Sequence, residues 1–428
     1  MSSIEDLLLT EYNISKETYH IGETVDKSLK NIFEEIDKIK EFNFYKVLLA
    51  MKKIGLSDQH FNWTTGYGYS DLGREKIDAL YAEVFRTEDA IVRSSFANGT
   101  HVLGLCLKSL LGPGDSLLSV TGKPYDTLDE LIGIKGDYHN SLIKQGIEYQ
   151  EVPFLEEGSL DYQGIKEALR FKPHTKIVYI QRSTGYHYRK ALTIDCIKKV
   201  VEVVKTINPK IICMVDNCYG EFLEGKEPGE AGADVFAGSL IKNPGGGIVL
   251  SGGYIAGKKV LIKKIAQEHT LPGIERECGL TFGQSRSLFQ GLFLAPNIVA
   301  QAIKSAVFCG ALFQKSGYEV KPEPLEQRSD IIQSIRLGSK EKVLAFCEAI
   351  QAVAPVDAFV KPEPWDMPGY SHKIIMAAGT FIQGSSIELS ADAPIKEPYI
   401  VYFQGGLDYV HGKIGALKAL ETIKKLEL

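Results

Sequence analysis

Two apolar segments that end in polar residues, 211–215 and 233–237, constrain the fold of this chain more than any other feature. The first, IICMV, is followed directly by Asp216, and the second, ADVFA, is followed by Ser239 and then by Lys242. Short apolar runs bounded by turn residues are typical of buried strands in a parallel sheet. Because the carboxyl ends of such strands border the ligand crevice, Asp216, Ser239 and Lys242 are predicted to share one site.

The residue types in this predicted site indicate a cofactor. A lysine amine condenses with an aldehyde, and a carboxylate keeps a pyridine nitrogen protonated so that the ring can accept electrons. Lys242 and Asp216 together therefore predict pyridoxal 5'-phosphate, with Lys242 as its attachment point and as a proton carrier between substrate carbons. Each residue has a plainer explanation when taken alone. Lys242 would be a surface lysine beside the turn NPGGG, and Asp216 a helix N-cap.

Two further segments supply candidates for holding such a cofactor. Asn98, Gly99 and Thr100 lie where a helix is predicted to begin, and free backbone N–H groups at a helix start suit a phosphate. The hydroxyl of Ser239 would meet the same phosphate. Tyr125 follows a predicted strand and is placed to stack on a planar ring. The alternatives are an ordinary helix cap for the first segment and simple aromatic packing for Tyr125.

From residue 75 onward, short strand-like runs alternate with helical segments, which predicts βαβ units and a mostly parallel sheet. We divide the chain into an N-terminal helical arm and loop (1–74), a large cofactor-binding domain (75–312) and a smaller α+β domain (313–428). The arm is predicted to hold one helix over residues 25–54. Residues 248–257 are predicted to form a short hairpin that adds an antiparallel edge strand. The small domain is predicted to contain strands at 374–380, 386–390 and 399–404.

The overall composition excludes several classes of protein. The 428 residues carry a formal net charge of −5, which does not indicate a nucleic-acid or anionic-membrane surface. Seven cysteines, an odd number in a long chain, favour a reducing cytoplasm over a disulfide framework. Cys213 and Cys218 flank Asp216 but lack a second Cys/His pair, so no metal site is predicted. The acidic N-terminus does not resemble a signal peptide, and the apolar segment from about residue 285 predicts a core or interface helix.

The sequence resembles the fold-type-I pyridoxal-phosphate enzymes of cysteine and methionine metabolism, such as the cystathionine lyases and methionine γ-lyase. It is most similar to the branch called methionine γ-lyase-related or aluminium-resistance proteins. The resemblance extends over most of the length from about residue 60, and it is carried by the segments SSFANGTHVLG, RSTGYHYR, VDNCYGEF, AGSLIKNPGGG, QGLFLAPNIVAQAIK and GSSIELSADAP.

This resemblance implies an aspartate aminotransferase-like fold and assigns roles to several residues. Tyr125 would stack on the cofactor ring, Ser183 would lie beside it, and Asn98, Gly99, Thr100 and Ser239 would bind the phosphate. Tyr67 or Tyr69 would reach the phosphate of a neighbouring subunit. The implied assembly is a homotetramer built as a dimer of dimers, with active sites at subunit interfaces.

One position departs from the family pattern. The lyases bind the substrate α-carboxylate with an arginine in a small-domain run ending R-L-S, whereas the matching run here has Glu388 at that position. Any carboxylate clamp must therefore come from Arg182, Arg189 or Arg286, or the substrate is not a standard sulfur amino acid.

The predicted function is cleavage of a carbon–sulfur bond in an amino acid similar to methionine or cystathionine. Two alternatives stay open. One is transamination or β/γ-replacement on the same scaffold, and the other is a non-catalytic, cofactor-binding stress protein connected with metal resistance. The expected partner is a small amino-acid substrate, not a nucleic acid or a membrane, and the expected location is the cytoplasm.

Overall fold

The computed structural model describes residues 3–156 and 158–427. Its α-helices are α1 (Ile4–Thr10), α2 (Lys16–Ser28), α3 (Lys30–Lys53), α4 (Leu72–Val84), α5 (Gly99–Leu110), α6 (Asp129–Ile132), α7 (Tyr162–Phe171), α8 (Ile194–Ile207), α9 (Lys259–His269), α10 (Ser285–Lys315), α11 (Lys340–Gln351) and α12 (Tyr409–Leu426). Its strands are β1 (Asp89–Arg93), β2 (Ser116–Ser119), β3 (Glu148–Glu151), β4 (Thr175–Gln181), β5 (Ile212–Asp216), β6 (Val235–Ser239), β7 (Gly253–Gly257), β8 (Glu319–Lys321), β9 (Ile332–Arg336), β10 (Ile374–Ala377), β11 (Ser390–Pro394) and β12 (Ile400–Gln404).

The first seven strands form one sheet in the order β1-β7-β6-β5-β4-β2-β3. Neighbouring strands from β6 to β3 pair in parallel, while β7 runs antiparallel to both β6 and β1. The predicted mostly parallel sheet is therefore confirmed. The predicted hairpin at 248–257 is wrong, because β7 is a single strand that inserts between β1 and β6 and does not lie at an edge. Gly253 and Gly257, its end residues, face backbone so closely that a Cβ at either would meet a main-chain atom within 3.1 Å.

A second, antiparallel sheet has the order β10-β11-β12-β9-β8. Two of its predicted strands, 374–380 and 399–404, correspond to β10 and β12. The third was predicted at 386–390 and lies instead at β11, Ser390–Pro394. The run 386–389 is a turn because the carboxylate of Glu388 accepts hydrogen bonds from the backbone N–H groups of Phe381 and Ile382, at 2.9 and 3.0 Å.

Helix α10 joins the two sheets. It is long and apolar enough to cross a membrane by length and composition, yet 67% of its most apolar window is buried within the protein. Its Leu292, Val299 and Leu312 are fully buried in the main hydrophobic core. The prediction of a core helix fits this placement, and the burial of α10 supports a soluble protein.

The helix predicted over 25–54 is two helices, because α2 ends and α3 begins around Leu29. The N–H of Leu29 bonds to the carbonyl of Asp26, which tightens the last turn of α2. The arm packs on α12, where the buried Glu421 accepts hydrogen bonds from the hydroxyls of Ser15 and Thr18, each at 2.7 Å. The N-terminal helices are thereby tied to the C-terminal helix.

Candidate functional site

The carboxyl ends of β4, β5 and β6 lie side by side. Gln181 at the end of β4 pairs with Asp216 at the end of β5, which in turn pairs with Ala237 of β6. Ser239 is the last residue of β6. Lys242 follows three positions later and is the N-cap of the 3₁₀ turn Asn243–Gly245. The structure therefore brings Asp216, Ser239 and Lys242 to one edge of the sheet, as parallel strands require.

The amine of Lys242 lies over the ring of Tyr219, with Nζ 3.9 Å from the ring centroid. Tyr219 adopts a left-handed backbone conformation (φ 69°), a strained geometry for a residue with a side chain. Its hydroxyl shares a 2.9 Å hydrogen bond with Ser386 Oγ, from the turn before β11. Lys242 thus projects towards the second sheet, into a cavity of about 170 Å³ lined by loops that follow strands of the large sheet and by strands of the second sheet.

Asp216 lies behind this amine and is 4% exposed. Its carboxylate accepts hydrogen bonds from the backbone N–H of Cys218 at 3.0 Å and from the hydroxyl of Tyr179 at 3.3 Å. Burial raises the pKa of Asp216, while the Cys218 N–H and the nearby charge of Lys242 oppose that rise. A protonated heterocyclic nitrogen is the partner that a buried carboxylate in this position can stabilise.

The start of α5 lies against the same strand ends. Asn98 caps the helix, and its side chain accepts a hydrogen bond from the N–H of His101 at 2.8 Å. A Cβ added to Gly99 would lie 3.3 Å from Cys218 Sγ and 3.5 Å from Ser239 Cβ, so the helix start faces the end of β6. The hydroxyl of Thr100 shares a 2.6 Å hydrogen bond with that of Thr127. The first N–H groups of a helix lack partners within it, so this junction is a suitable phosphate cradle.

Tyr125 lies directly before the 3₁₀ turn Asp126–Leu128 and faces the cavity of Lys242. Its hydroxyl shares a 2.6 Å hydrogen bond with that of Tyr370, from the loop before β10. A Cβ on Gly185 would lie 3.3 Å from the ring of Tyr125, so the ring packs over the backbone that follows β4. The hydrogen bond to Tyr370 therefore fixes the hydroxyl end of Tyr125, and one face of its ring is available to a planar group.

Ser183 and the tyrosines of the N-terminal loop are less closely tied to this cavity. Ser183 is buried, and its carbonyl accepts a hydrogen bond from Arg189 Nη2 at 2.5 Å. Tyr67 and Tyr69 are 72% and 74% exposed. Neither they nor Ser183 belong to the described residues that line the cavity of Lys242. Their assignment to the cofactor stays a prediction.

The three arginines considered for a substrate carboxylate lie elsewhere. Arg182 is fully buried and donates to Asn217 Oδ1 at 2.8 Å and to a Glu224 carboxylate oxygen at 2.9 Å. Arg189 is held by backbone carbonyls, and the exposed Arg286 stacks on Phe61. None of the three is among the described residues lining the cavity, so this subunit gives them no support as carboxylate ligands.

The structure adds residues that the sequence interpretation missed. Asp392 of β11 lies in the cavity wall, and its carboxylate accepts hydrogen bonds from the Tyr186 hydroxyl at 2.6 Å and from Gln404 Nε2 at 2.7 Å. Tyr370 and Ser390 complete this wall. A period-two pattern of Ser390 and Asp392 in LSADAP was the available signal. This pattern was not recognised because the strand was predicted at 386–390, four residues before β11 begins at Ser390.

Metal ligands do not converge in the described chain, where no group of three or more His, Cys, Asp and Glu side chains could hold an ion. Burial raises the pKa of Cys213 to about 12 and raises that of Cys218 as well. Both thiols are therefore protonated near neutral pH and are poor ligands.

Comparison with known proteins agrees with this geometry. The family model described as methionine gamma-lyase matches residues 18–424. The chain belongs to the methionine gamma-lyase family. The chain is also 45% identical to YnbB of Bacillus subtilis (strain 168) over 405 residues, and the matched region covers 94% of this chain and 96% of YnbB.

Two solved structures are similar to this family member. A carbon-sulfur lyase involved in aluminum resistance from Clostridium novyi NT is 50% identical, with a TM-score of 0.94 over 98% of this chain and 99% of that chain. The pyridoxal-5'-phosphate-dependent protein YhfS from Escherichia coli is 17% identical, with a TM-score of 0.61 over 91% of this chain and 97% of that chain. The second similarity concerns the fold alone.

The fold is therefore the pyridoxal-phosphate-dependent fold type I, and pyridoxal 5'-phosphate is the cofactor of this family member. The residues present fit that group. Lys242 supplies an amine, Asp216 a buried carboxylate, and the close approach of Gly99 to Ser239 a cradle without side-chain obstruction.

Proposed function

We propose that this methionine gamma-lyase family member is a carbon–sulfur lyase that eliminates a thiol from a sulfur-containing amino acid. The observation that carries the proposal is the amine of Lys242, 3.9 Å above Tyr219 and facing a cavity lined by loops that follow strands of the large sheet and by strands of the second sheet. The similarity to the Clostridium novyi carbon-sulfur lyase supports the type of bond that is cleaved.

The residues have separable roles in this proposal. Bound pyridoxal phosphate supplies an aldehyde that condenses with amines and a ring that accepts electrons from the substrate α-carbon. Lys242 would hold the cofactor and, as a free amine, would move protons at the substrate carbons. Asp216 fixes the proton on the ring nitrogen. Tyr125 orients the ring, and the α5 start with Ser239 holds the phosphate.

We further propose that the protein works in the cytoplasm as a homotetramer built from dimers. The exposure of Tyr67 and Tyr69, at 72% and 74%, supports a partner surface beside the N-terminal loop. Light scattering on the purified protein tests this assembly. A monomer at micromolar concentration would contradict it.

The reaction is tested by incubating the purified holoprotein with a panel of sulfur amino acids and measuring 2-oxo acid, ammonia and thiol. Elimination yields the three products in equal amounts. Transamination yields a 2-oxo acid without free ammonia, and replacement consumes a second nucleophile. Cofactor binding without turnover of any amino acid would overturn the lyase proposal in favour of a non-catalytic protein.

A further inference from the structure

The wall of the cavity opposite Lys242 is one face of the second sheet. Alternate residues of a strand point to the same face, so Ser390 and Asp392 of β11 project together. Ser390 pairs with Gln404 of β12, and Asp392 pairs with Met376 of β10. All four side chains line the cavity. The sheet therefore presents one carboxylate inside a polar patch.

Two hydrogen bonds fix the carboxylate of Asp392, while burial disfavours its charged form. Asp392 is 7% exposed, and each of its oxygens accepts one hydrogen bond, from Tyr186 and from Gln404. Burial raises its pKa to about 6, against the hydrogen bonds and the charge of Lys242. The carboxylate is consequently ionised at neutral pH. Each oxygen keeps acceptor capacity for a further donor, since an ionised carboxylate offers about four lone-pair sites.

A second buried polar group in the same wall lacks a partner. Ser390 is 4% exposed, and its Oγ makes no hydrogen bond in the described structure. Unsatisfied buried hydroxyls are uncommon because they lose their hydrogen bonds to water without replacement. Its position two residues from Asp392 on the same face indicates that a polar ligand group is received between them.

Tyrosine rings surround the carboxylate. The ring centroids of Tyr125, Tyr186 and Tyr370 lie 5.7 to 6.2 Å from one another. Tyr219 already carries the Lys242 ammonium over its face. Aromatic faces attract cations, and rings combined with a carboxylate are a recurring arrangement for binding them.

Lys242 and Asp392 are the two charged side chains among the described residues that line the cavity. Among its described lining residues, there is no arginine, no histidine and no second lysine. The adjoining cleft, which shares Tyr125, Tyr186 and Tyr370, has two lysines, two histidines and one carboxylate in its lining: Lys123, Lys396, His187, His372 and Asp126. Lysines therefore outnumber carboxylates in the adjoining cleft, whereas in the cavity that Lys242 faces Asp392 is matched by that one lysine.

We propose that Asp392, with Ser390 and the surrounding tyrosine rings, selects substrates that carry a second positive charge, an ammonium or a sulfonium group, beyond the reacting amine. This inference rests on the proposed function, because it names the class of sulfur amino acid that the same site accepts. Asp392 is the specificity-determining residue, and a neutral or anionic substrate side chain offers its carboxylate no positive charge.

The test uses a charge series on the holoenzyme. S-(2-aminoethyl)-L-cysteine, S-propyl-L-cysteine and S-(2-carboxyethyl)-L-cysteine differ in charge at the far end of a similar side chain. S-methyl-L-methionine against L-methionine forms the sulfonium arm. Binding is measured by calorimetry and turnover by 2-oxo acid and ammonia formation, because the sulfonium compound would release dimethyl sulfide and not a thiol. At least one cationic compound should exceed its neutral counterpart by about 10- to 100-fold in affinity and in kcat/KM, and the anionic compound should be poorest.

Asp392→Asn provides the second measurement. The preference for the cation should collapse towards parity in this variant. Asp137→Asn, which removes the same charge from a side chain that is 97% exposed, should keep the preference. Should Asp392→Asn not fold, the wild-type charge series alone decides the matter.

The possible outcomes separate the two proposals. Equal turnover of neutral and cationic compounds by the wild type would overturn the charge selection and leave the lyase function standing. Selective binding of the cation with no turnover of any compound would overturn the lyase function and leave the charge selection standing. A preference confined to one of the two arms identifies the cation as ammonium or sulfonium.

Discussion

The two sides of the cavity differ in how they hold charge. On the large-sheet side, Asp216 and Lys242 lie at or beyond the ends of parallel strands, where the chain turns. On the second-sheet side, Asp392 lies within β11 and is fixed by side chains from other elements. The first arrangement is a general property of parallel α/β sheets, whereas the second depends on which face of an antiparallel strand happens to line a cavity. The general side should serve the cofactor, and the particular side should serve the substrate.

The largest effect expected from this division is at Lys242. Lys242→Met keeps an aliphatic stem but removes the amine, so activity should fall by roughly 10³-fold or more because both the attachment point and the proton carrier are lost. The absorbance of the covalently attached cofactor should disappear, and borohydride should no longer fix the cofactor to the chain.

The matched control for that variant is Lys46, another buried lysine, which is 9% exposed and lies 4.0 Å from Glu227. Lys46→Met should keep the cofactor absorbance. Full activity and unchanged cofactor absorbance in Lys242→Met would show that Lys242 does not attach the cofactor, and that the large-sheet side does not serve it.

Asp216→Asn is expected to have the next largest effect. The amide still accepts a hydrogen bond from the N–H of Cys218 but no longer stabilises a protonated ring nitrogen. We expect kcat to fall by about 10²-fold, with the cofactor still attached. Single-turnover kinetics with cofactor absorbance as the signal measures both quantities. An unchanged kcat would place the ring nitrogen away from Asp216.

These two residues show what the sequence could predict. Asp216, Ser239 and Lys242 were found because strand ends are marked by an abrupt change from apolar to polar residues and by the glycines after Lys242. Asp392 was missed because its importance depends on tertiary neighbours, Tyr186 and Gln404, that are far apart in sequence. The sequence likewise could not show that Arg182, a candidate carboxylate ligand, donates its hydrogen bonds to Asn217 and Glu224 in a buried network.

The stability of the second-sheet side should depend on pH. The folded-state pKa of Asp392, about 6, lies above its ordinary value of 3.8, so the folded state binds the proton more tightly than the unfolded state does. Ionisation therefore destabilises the fold progressively as the pH rises from about 4 to 6. Asp392→Asn should be more stable than wild type at pH 8, by at most about 3 kcal/mol, and equal to it near pH 4.

This prediction is checked by urea unfolding of the apoprotein at both pH values. A gain in stability together with a loss of cation preference would mark Asp392 as a residue kept for function at the expense of the fold. Lower stability of the variant at pH 8 would instead give Asp392 a structural role and weaken the contrast between the two sides.

The smallest expected effect concerns Glu388, at the position where the family resemblance predicted an arginine. Its carboxylate accepts hydrogen bonds from the N–H groups of Phe381 and Ile382 and thereby shapes the turn before β11.

Glu388→Gln keeps one carbonyl acceptor but loses the second, so it should reduce the free energy of unfolding by about 1 kcal/mol. Glu388→Arg should reduce it further, because the buried N–H of Ile382 and the partly buried N–H of Phe381 would both lose their acceptors. Neither variant should lower KM for neutral sulfur amino acids, since the side chain points into the turn and not into the cavity. A lower KM for Glu388→Arg would show instead that this position faces the substrate, and that one change of charge on the second-sheet side is enough to create a carboxylate clamp.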